Sequence, residues 1–384
     1  MHFFLLGITF LAALFWILNT IDLAFGIPRV KRLADVTPLQ DAECPSVSIL
    51  FAARDEAEKL PGALETLLAL DYPRYEVVAV NDRSEDGTRE ILDNAARTNP
   101  RLKVVHVNSL PSGWLGKPHA LQQGYEHASG EWLIFTDADV HFSPDLLRRT
   151  VALARQQGWD HLTLLGHVDM HDVGERMALT FFAMAFLIAV RPWRVSKPRT
   201  RNFAGVGAFQ LIQRGAYEAI GAHGRLAMEV VDDMKLGKLV KEGGFRSGVA
   251  NSGGAVNVRW HEGVGNIIRG TTKNFFATSG FRLWAACLQV IALSWIFVFP
   301  AAALPWLRGW AFVFALIAVG LPVVTEAGVA LEFGISPLYA LTFPIGALIF
   351  VWMVTRSTIV TLWSGGITWR GTFYPLKELK RGVV

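Results

Sequence analysis

The sequence predicts an α/β domain set between membrane-spanning helices, and three observations carry that expectation. From about residue 47 to residue 248, short runs rich in Val and Ile alternate with longer amphipathic stretches. This is the signature of parallel strands joined by crossover helices. Uncharged runs of span length precede and follow that region. A hydrophobic fraction of 52% and a mean hydropathy of +0.32 are also high for a soluble chain.

In order, residues 3–18 (FFLLGITFLAALFWIL) are uncharged, and the apolar run extends past Asn19 and Asp22 to about residue 26. No Lys or Arg precedes it and no small-residue cleavage site follows, so an anchor is expected rather than a signal peptide. PRVKR at 28–32 then assigns the downstream chain to the cytoplasm. SVSILFAA (46–53), YEVVAVND (75–82), LKVVHV (102–107) and EWLIFTD (131–137) read as strands. EKLPGALETLLAL (58–70), DGTREILDNAAR (86–97) and PHALQQGYEHA (118–128) read as helices between them. The stretch 175–195 has an uncharged core of about 14 residues, short for a span and suited to a buried or interfacial helix closed by Arg191, Trp193 and Arg194. Residues 259–284 mix basic and aromatic side chains as an amphipathic interface helix would.

Residues 283–307, 310–331 and 338–363 are each about span length and carry Gln289, Glu326 and Arg356. Three crossings would leave the basic KELKR tail outside, so either one segment is re-entrant or the tail breaks the charge rule. The expected organisation is an anchor (1–26), an α/β domain (46–250), an interface region (251–282), about three transmembrane helices (283–363) and a basic tail (364–384).

The net charge of +4 argues against a nucleic-acid partner. Cys44 and Cys287 are far apart, with no zinc-like spacing, and neither a G-x-G-x-x-G after the first strand nor a P-loop is present. Ligands of such sheets bind beyond the carboxyl ends of the strands. Arg54, Asp55, Glu56, Asp82, Asp137 and Asp139 all fall at those ends. Asp137 and Asp139 would repel each other there unless a cation joins them, and hard oxygen ligands suit Mg²⁺ or Mn²⁺. Asp232 and Asp233 read as the first turn of a helix, where the dipole favours acids.

FAARDEAEKL, VNDRSEDGT, GWLGKPHALQQG, FTDADV, VGAFQLIQRGAYEAIGAHGRL, VVDDMKLGKLV and GGITWRGTFYPL occur in this order. Together they resemble the family 2 glycosyltransferases, inverting enzymes with a GT-A, Rossmann-like mixed sheet that binds a nucleotide sugar. The resemblance runs from about residue 1 to 375, and is nearest the membrane-anchored subgroup associated with hopanoid biosynthesis, related to ceramide glucosyltransferases. It implies that Ala52, Arg54, Glu56 and Asp82 form the base and ribose pocket, although Asp82 would also serve to cap the next helix. Lys117, in a glycine-containing turn, is implied to contact the nucleotide or its diphosphate, against the alternative of a solvated loop lysine. Asp139 is the implied metal ligand, with Asp137 sharing the metal or nearer the ribose.

Asp233 is the implied general base, with Asp232 beside it where the family usually has Glu; Glu229 is the second choice. Arg269 and Lys273 would contact either the diphosphate or an anionic lipid, and His223 reads as structural. The family's (Q/R)-x-x-R-W element keeps Arg259 and Trp260 but has Val256 at its first position, which weakens a processive reading. The resemblance thus implies transfer of one sugar from a UDP-sugar to a membrane lipid hydroxyl at the cytoplasmic face of an inner membrane, as a multi-pass protein. Hopanoid, sphingolipid-like, carotenoid and polyprenyl phosphate acceptors all fit. The alternatives are a processive polysaccharide synthase and a non-catalytic nucleotide-sugar-binding membrane protein.

Overall fold

The computed structural model describes residues 2–384. The chain forms two compact units, one of residues 30–169, 192–259 and 370–384, the other of the remaining three stretches.

The first unit is built on an eight-stranded sheet. Its strands are β1 (Lys31–Arg32), β2 (Val47–Ala53), β3 (Tyr75–Asp82), β4 (Leu102–Val107), β5 (Trp132–Asp137), β7 (His161–Leu165), β9 (Gln210–Gln213) and β10 (Ser247–Asn251), in the order β1-β10-β7-β9-β5-β2-β3-β4. A small sheet joins β6 (Val140–Phe142), β11 (Val256–Val258) and β8 (His167–Val168). β2 pairs in parallel with β3 and β5, whereas β9 runs antiparallel to both β5 and β7. The central strands are buried almost throughout, as a sheet covered on both faces requires. The period of two divides the core. Ile49, Phe51 and Ile134 pack on one face with Leu64, Leu92 and Val151. Leu50, Leu133 and Phe135 pack on the other with Leu121, Tyr217 and Leu236.

The second unit is helical. Among the described residues five helices are long and apolar enough to cross a membrane, over 3–29, 173–195, 283–306, 309–332 and 337–364. Their exposed faces carry Phe4, Leu18, Trp284, Trp310, Leu348 and Trp363, as lipid-facing surfaces do. Inside, Phe181 meets Phe297, Phe343 and Phe350. The helix from Leu283 is interrupted by a π-helical turn at Ser294–Val298. Pro300 is the cause, because it has no N–H for the Ile296 carbonyl. The indole N–H of Trp16 donates to that oxygen instead, at 3.2 Å.

Three expectations change. Val173–Val190 is an 18-residue helix with an Asp172 N-cap, longer than its uncharged core suggested. The chain leaves the sheet-containing unit at Asp169 and re-enters it at Pro192, so this helix belongs to the helical unit. Residues 259–284 are not one helix but Gly263–Gly270, a 3₁₀ turn and Phe275–Thr278, with Gly280 and Phe281 in left-handed backbone ending the run. The 364–384 stretch is not a free tail: it folds as strands Gly366–Trp369 and Thr372–Pro375 and helix Leu376–Arg381. Residues 370–384 belong with the sheet.

Candidate functional site

The carboxyl ends of β2, β3 and β5 form a rim. Ala52 is paired in register with Asp137 across β2 and β5, so the first strand's end is fixed beside the acid pair. After β2 the chain turns sharply at Asp55, whose φ is 54°, and Asp55 Oδ1 accepts from Glu85 N–H at 2.8 Å. Arg54 Nη1 donates to Thr372 Oγ1 at 3.3 Å. Glu56 accepts a bond from Arg370. Burial pushes the Glu56 carboxyl above its ordinary range, with Arg370 opposing and Asp139 adding to the rise.

Asp82 is buried and held by both arms of Arg83, at 2.7 and 3.0 Å. It caps no helix: the next one begins at Thr88, where Asp86 Oδ1 accepts the Thr88 N–H at 2.9 Å. Lys117 is not on a loop either. It occupies the first turn of helix Gly116–Glu126, and its Nζ lies 2.5 Å from Asp137 Oδ1. Burial works against the Lys117 charge, but Asp137, Asp232 and Asp233 together raise its pKa above the ordinary lysine value. A Cβ on Gly116 would stand 2.6 Å from Asp82 Oδ2, so any side chain there would displace that carboxylate.

Asp139 follows β5 and faces Lys59 Nζ at 3.7 Å. Burial first, and the neighbouring Asp137 charge second, push its carboxyl above its usual range. Among the described residues no group of three or more His, Cys, Asp or Glu could hold a metal by itself. Two carboxylates completed by phosphate oxygens are, however, what Mg²⁺ and Mn²⁺ accept, and a cation would relieve the mutual repulsion at Asp137 and Asp139. The residues present fit such a metal.

Helix Asp232–Glu242 brings the second acid pair to the same place. Asp233 Oδ2 accepts from Gly207 N–H at 2.9 Å, and Oδ1 from Met234 N–H at 2.7 Å. A Cβ on Gly207 would lie 2.6 Å from Asp137 Oδ2, so one glycine touches both acid pairs. Lys117, Asp232, Asp233, Gly207 and His223 line one small cavity. Glu229 is buried beside Lys235 Nζ at 3.5 Å and accepts the Val384 N–H, so it is engaged in structure. His223 Nδ1 bonds Tyr217 Oη at 2.6 Å, and burial, with Lys117 adding, holds it down to about 3.

Arg269 and Lys273 belong to the helical unit. Arg269 donates to Asn266 Oδ1 at 2.8 Å, and Lys273 Nζ stands 4.0 Å over the Trp369 ring. In that unit Trp260 packs on Phe182 with ring centroids 5.0 Å apart. Arg83, Lys59, Arg370, Tyr374 and Gly207 were not singled out from the sequence. Arg83 follows Asp82 directly, and Arg370 and Tyr374 lie in GGITWRGTFYPL, so the motifs contained them without assigning them work.

Residues 48–218 match the family model Glycosyl transferase family 2. The chain is 38% identical over 109 residues to the beta-monoglucosyldiacylglycerol synthase of Synechocystis sp., covering 28% of this chain and 22% of that relative. It is 25% identical over 232 residues to the 4,4'-diaponeurosporenoate glycosyltransferase of Staphylococcus haemolyticus, covering 60% of each. It is 27% identical over 143 residues to the poly-beta-1,6-N-acetyl-D-glucosamine synthase of Staphylococcus epidermidis, covering 37% of this chain and 33% of that one. The matched stretches thus span 22% to 60% of these relatives' own lengths. The fold is shared with a solved structure, the mannosyltransferase PcManGT from Pyrobaculum calidifontis in complex with GDP-Man and Mn2+. That match has a TM-score of 0.60 at 21% identity and covers 94% of this chain and 99% of the other.

Proposed function

We propose that the chain, whose residues 48–218 match the model of glycosyltransferase family 2 and whose fold is shared with a solved mannosyltransferase, transfers one sugar from a nucleotide sugar, a UDP-sugar in our reading, to a hydroxyl of a membrane lipid. The observation that carries this is the meeting of two acid pairs at one rim, Asp137 and Asp139 after β5 and Asp232 and Asp233 at a helix start, bridged by Gly207. The lipid acceptor is supported by the apolar helical unit and by relatives named for glucosyldiacylglycerol and diaponeurosporenoate. The hopanoid-associated subgroup is our choice on the sequence motifs. Because PRVKR follows the N-terminal helix, the transferase domain faces the cytoplasm in this reading.

Asp233 is the general base. Its two backbone donors, Gly207 N–H and Met234 N–H, orient the carboxylate. It takes the proton from the acceptor hydroxyl as that oxygen attacks the anomeric carbon. The bond from that carbon to the diphosphate breaks on the opposite face, so an α-linked donor gives a β-glycoside. Asp139 and Asp137 would hold Mg²⁺ or Mn²⁺, which when bound offsets the leaving diphosphate's charge. Lys117 keeps Asp137 in place, and Arg54, Glu56 and Asp82, beside Ala52, form the nucleotide pocket. Arg269 and Lys273 are assigned to an anionic headgroup or the diphosphate.

The polysaccharide-synthase alternative has one of the three relatives on its side, whereas Val256 at the head of the R-W element counts against it. The test is incubation of the purified protein with labelled UDP-sugars and extracted lipids, with and without Mg²⁺ or Mn²⁺. Label enters a lipid as a single sugar, and Asp139→Ala and Asp233→Asn abolish it. Transfer that survives both substitutions rejects the mechanism; a long polymer rejects the lipid reading.

A further inference from the structure

Arg370 and Gly371 are consecutive left-handed residues, with φ of 47° and 75°. Such a turn takes Asn or Gly cheaply, whereas an arginine there costs about 1 kcal/mol. The strand that follows is fastened to the rim at two points. Thr372 Oγ1 accepts from Arg54 Nη1 at 3.3 Å, and Tyr374 Oη accepts from Gly116 N–H at 3.2 Å. The turn therefore holds one side chain where the rim acids gather.

The cations of that rim differ in what they have left to give. Arg83 gives two donors to Asp82 at 2.7 and 3.0 Å, and Lys117 is locked on Asp137 at 2.5 Å. Arg370 is half exposed and bonds Glu56 through Nη2. A guanidinium has five N–H donors in a planar fork, so most of its capacity faces solvent. Lys59 donates its backbone N–H to the Glu56 carbonyl at 3.1 Å and its Nζ stands 3.7 Å from Asp139 Oδ2, so the segment that carries Glu56 borders the acid assigned to the metal. A planar fork of this kind matches phosphate oxygens two at a time.

We propose that Arg370 binds the terminal phosphate of the donor's nucleoside diphosphate, and that Glu56 parks its guanidinium when the site is empty. This rests on the transferase reading of the rim. It assigns to a residue more than one hundred positions beyond both acid pairs a direct part in donor binding.

The experiment is calorimetric titration of the full-length protein in detergent with UDP, UMP, GDP and GMP, each with Mn²⁺ present. The wild type is expected to bind one diphosphate. Arg370→Ala should weaken that diphosphate by about tenfold or more, the size of a lost charge-assisted bond, and its monophosphate by less than about threefold. Arg370→Lys should fall between, and both variants should melt with the wild type because the side chain is exposed. Unchanged diphosphate affinity in Arg370→Ala, or equal losses for diphosphate and monophosphate, overturns the assignment while leaving the transferase reading intact. A wild type that binds none of the four nucleotides overturns both.

Discussion

Replacing Gly237 with alanine sets a methyl group against the segment that leads into β9. A Cβ on Gly237 would lie 1.9 Å from the Ala204 carbonyl oxygen, and a Cβ on Gly205 would lie 1.8 Å from the Asp233 carbonyl oxygen. Two glycines thus let helix Asp232–Glu242 rest directly on backbone. Carbon and oxygen in contact need about 3.3 Å, so in Gly237→Ala the helix must back away by roughly 1.4 Å. Asp233 travels with it, and its 2.9 Å bond to Gly207 N–H opens. Overpacking of this kind costs about 1–3 kcal/mol, which at about 2–4 °C per kcal/mol lowers Tm by several degrees. A displacement of about 1 Å at a reacting group costs on the order of a hundredfold in rate. The expected result is a folded protein with a slightly lower Tm, unchanged affinity for the nucleoside diphosphate, and transfer to lipid about a hundredfold slower. The assays are scanning fluorimetry, nucleotide titration and initial rates with labelled donor. A variant whose transfer rate stays within about twofold of wild type would refute the claim that this contact positions Asp233.

Chelation with EDTA should abolish transfer, and added Mg²⁺ or Mn²⁺ should restore it in the wild type but not in Asp139→Ala, as followed by labelled-sugar transfer. Lys117→Met leaves Asp137, Asp232 and Asp233 without their shared cation. Its Tm should fall, as read by scanning fluorimetry. His161 and His223 are buried and neutral, held by burial down to about 4 and about 3. An unfolded chain, with histidines near 6.5, binds more protons than the folded one between those values. Stability is therefore full above pH 6.5 and is lost on acidification, by about 1.4 kcal/mol per pH unit for each histidine. Urea midpoints against pH measure that slope, and His161→Gln should flatten it. Finally, cysteines placed at Glu85 and Lys380, with Cys44 and Cys287 replaced by serine, should be labelled by an impermeant maleimide from one side of sealed vesicles only.

Four strands of the eight-stranded sheet, β2 to β5, and the acids at their ends were legible because both are local. A period of two exposes a strand, and a polar residue at its carboxyl end marks the rim. What stayed hidden depends on contacts distant in sequence. Gly205, Gly207 and Gly237 look like ordinary glycines until two backbones meet. Arg370 is one of many arginines until its turn is set beside Glu56. The helix at 173–190 was misjudged for another reason: its first turn includes Glu175, which is buried and accepts from the His171 and Gly263 N–H groups. A charged residue was thus counted as an end when it is internal. The 259–284 stretch failed differently, since its mixture of polar and apolar residues fits a helix while its glycines divide it.

One reversed strand has a consequence for how the rim can vary. β5 and β7 end where β9 begins, so the connection at 204–209 arrives among the strand ends instead of departing from the far edge. The rim is therefore furnished by a loop whose length is set by neither hairpin nor crossover geometry. Residues could be added upstream of Ala204 without moving a single sheet bond. An insertion between Gly205 and Gln210, by contrast, would leave every strand paired and still carry the Gly207 N–H away from Asp233. The architecture separates what holds the domain together from what aims its reacting acid.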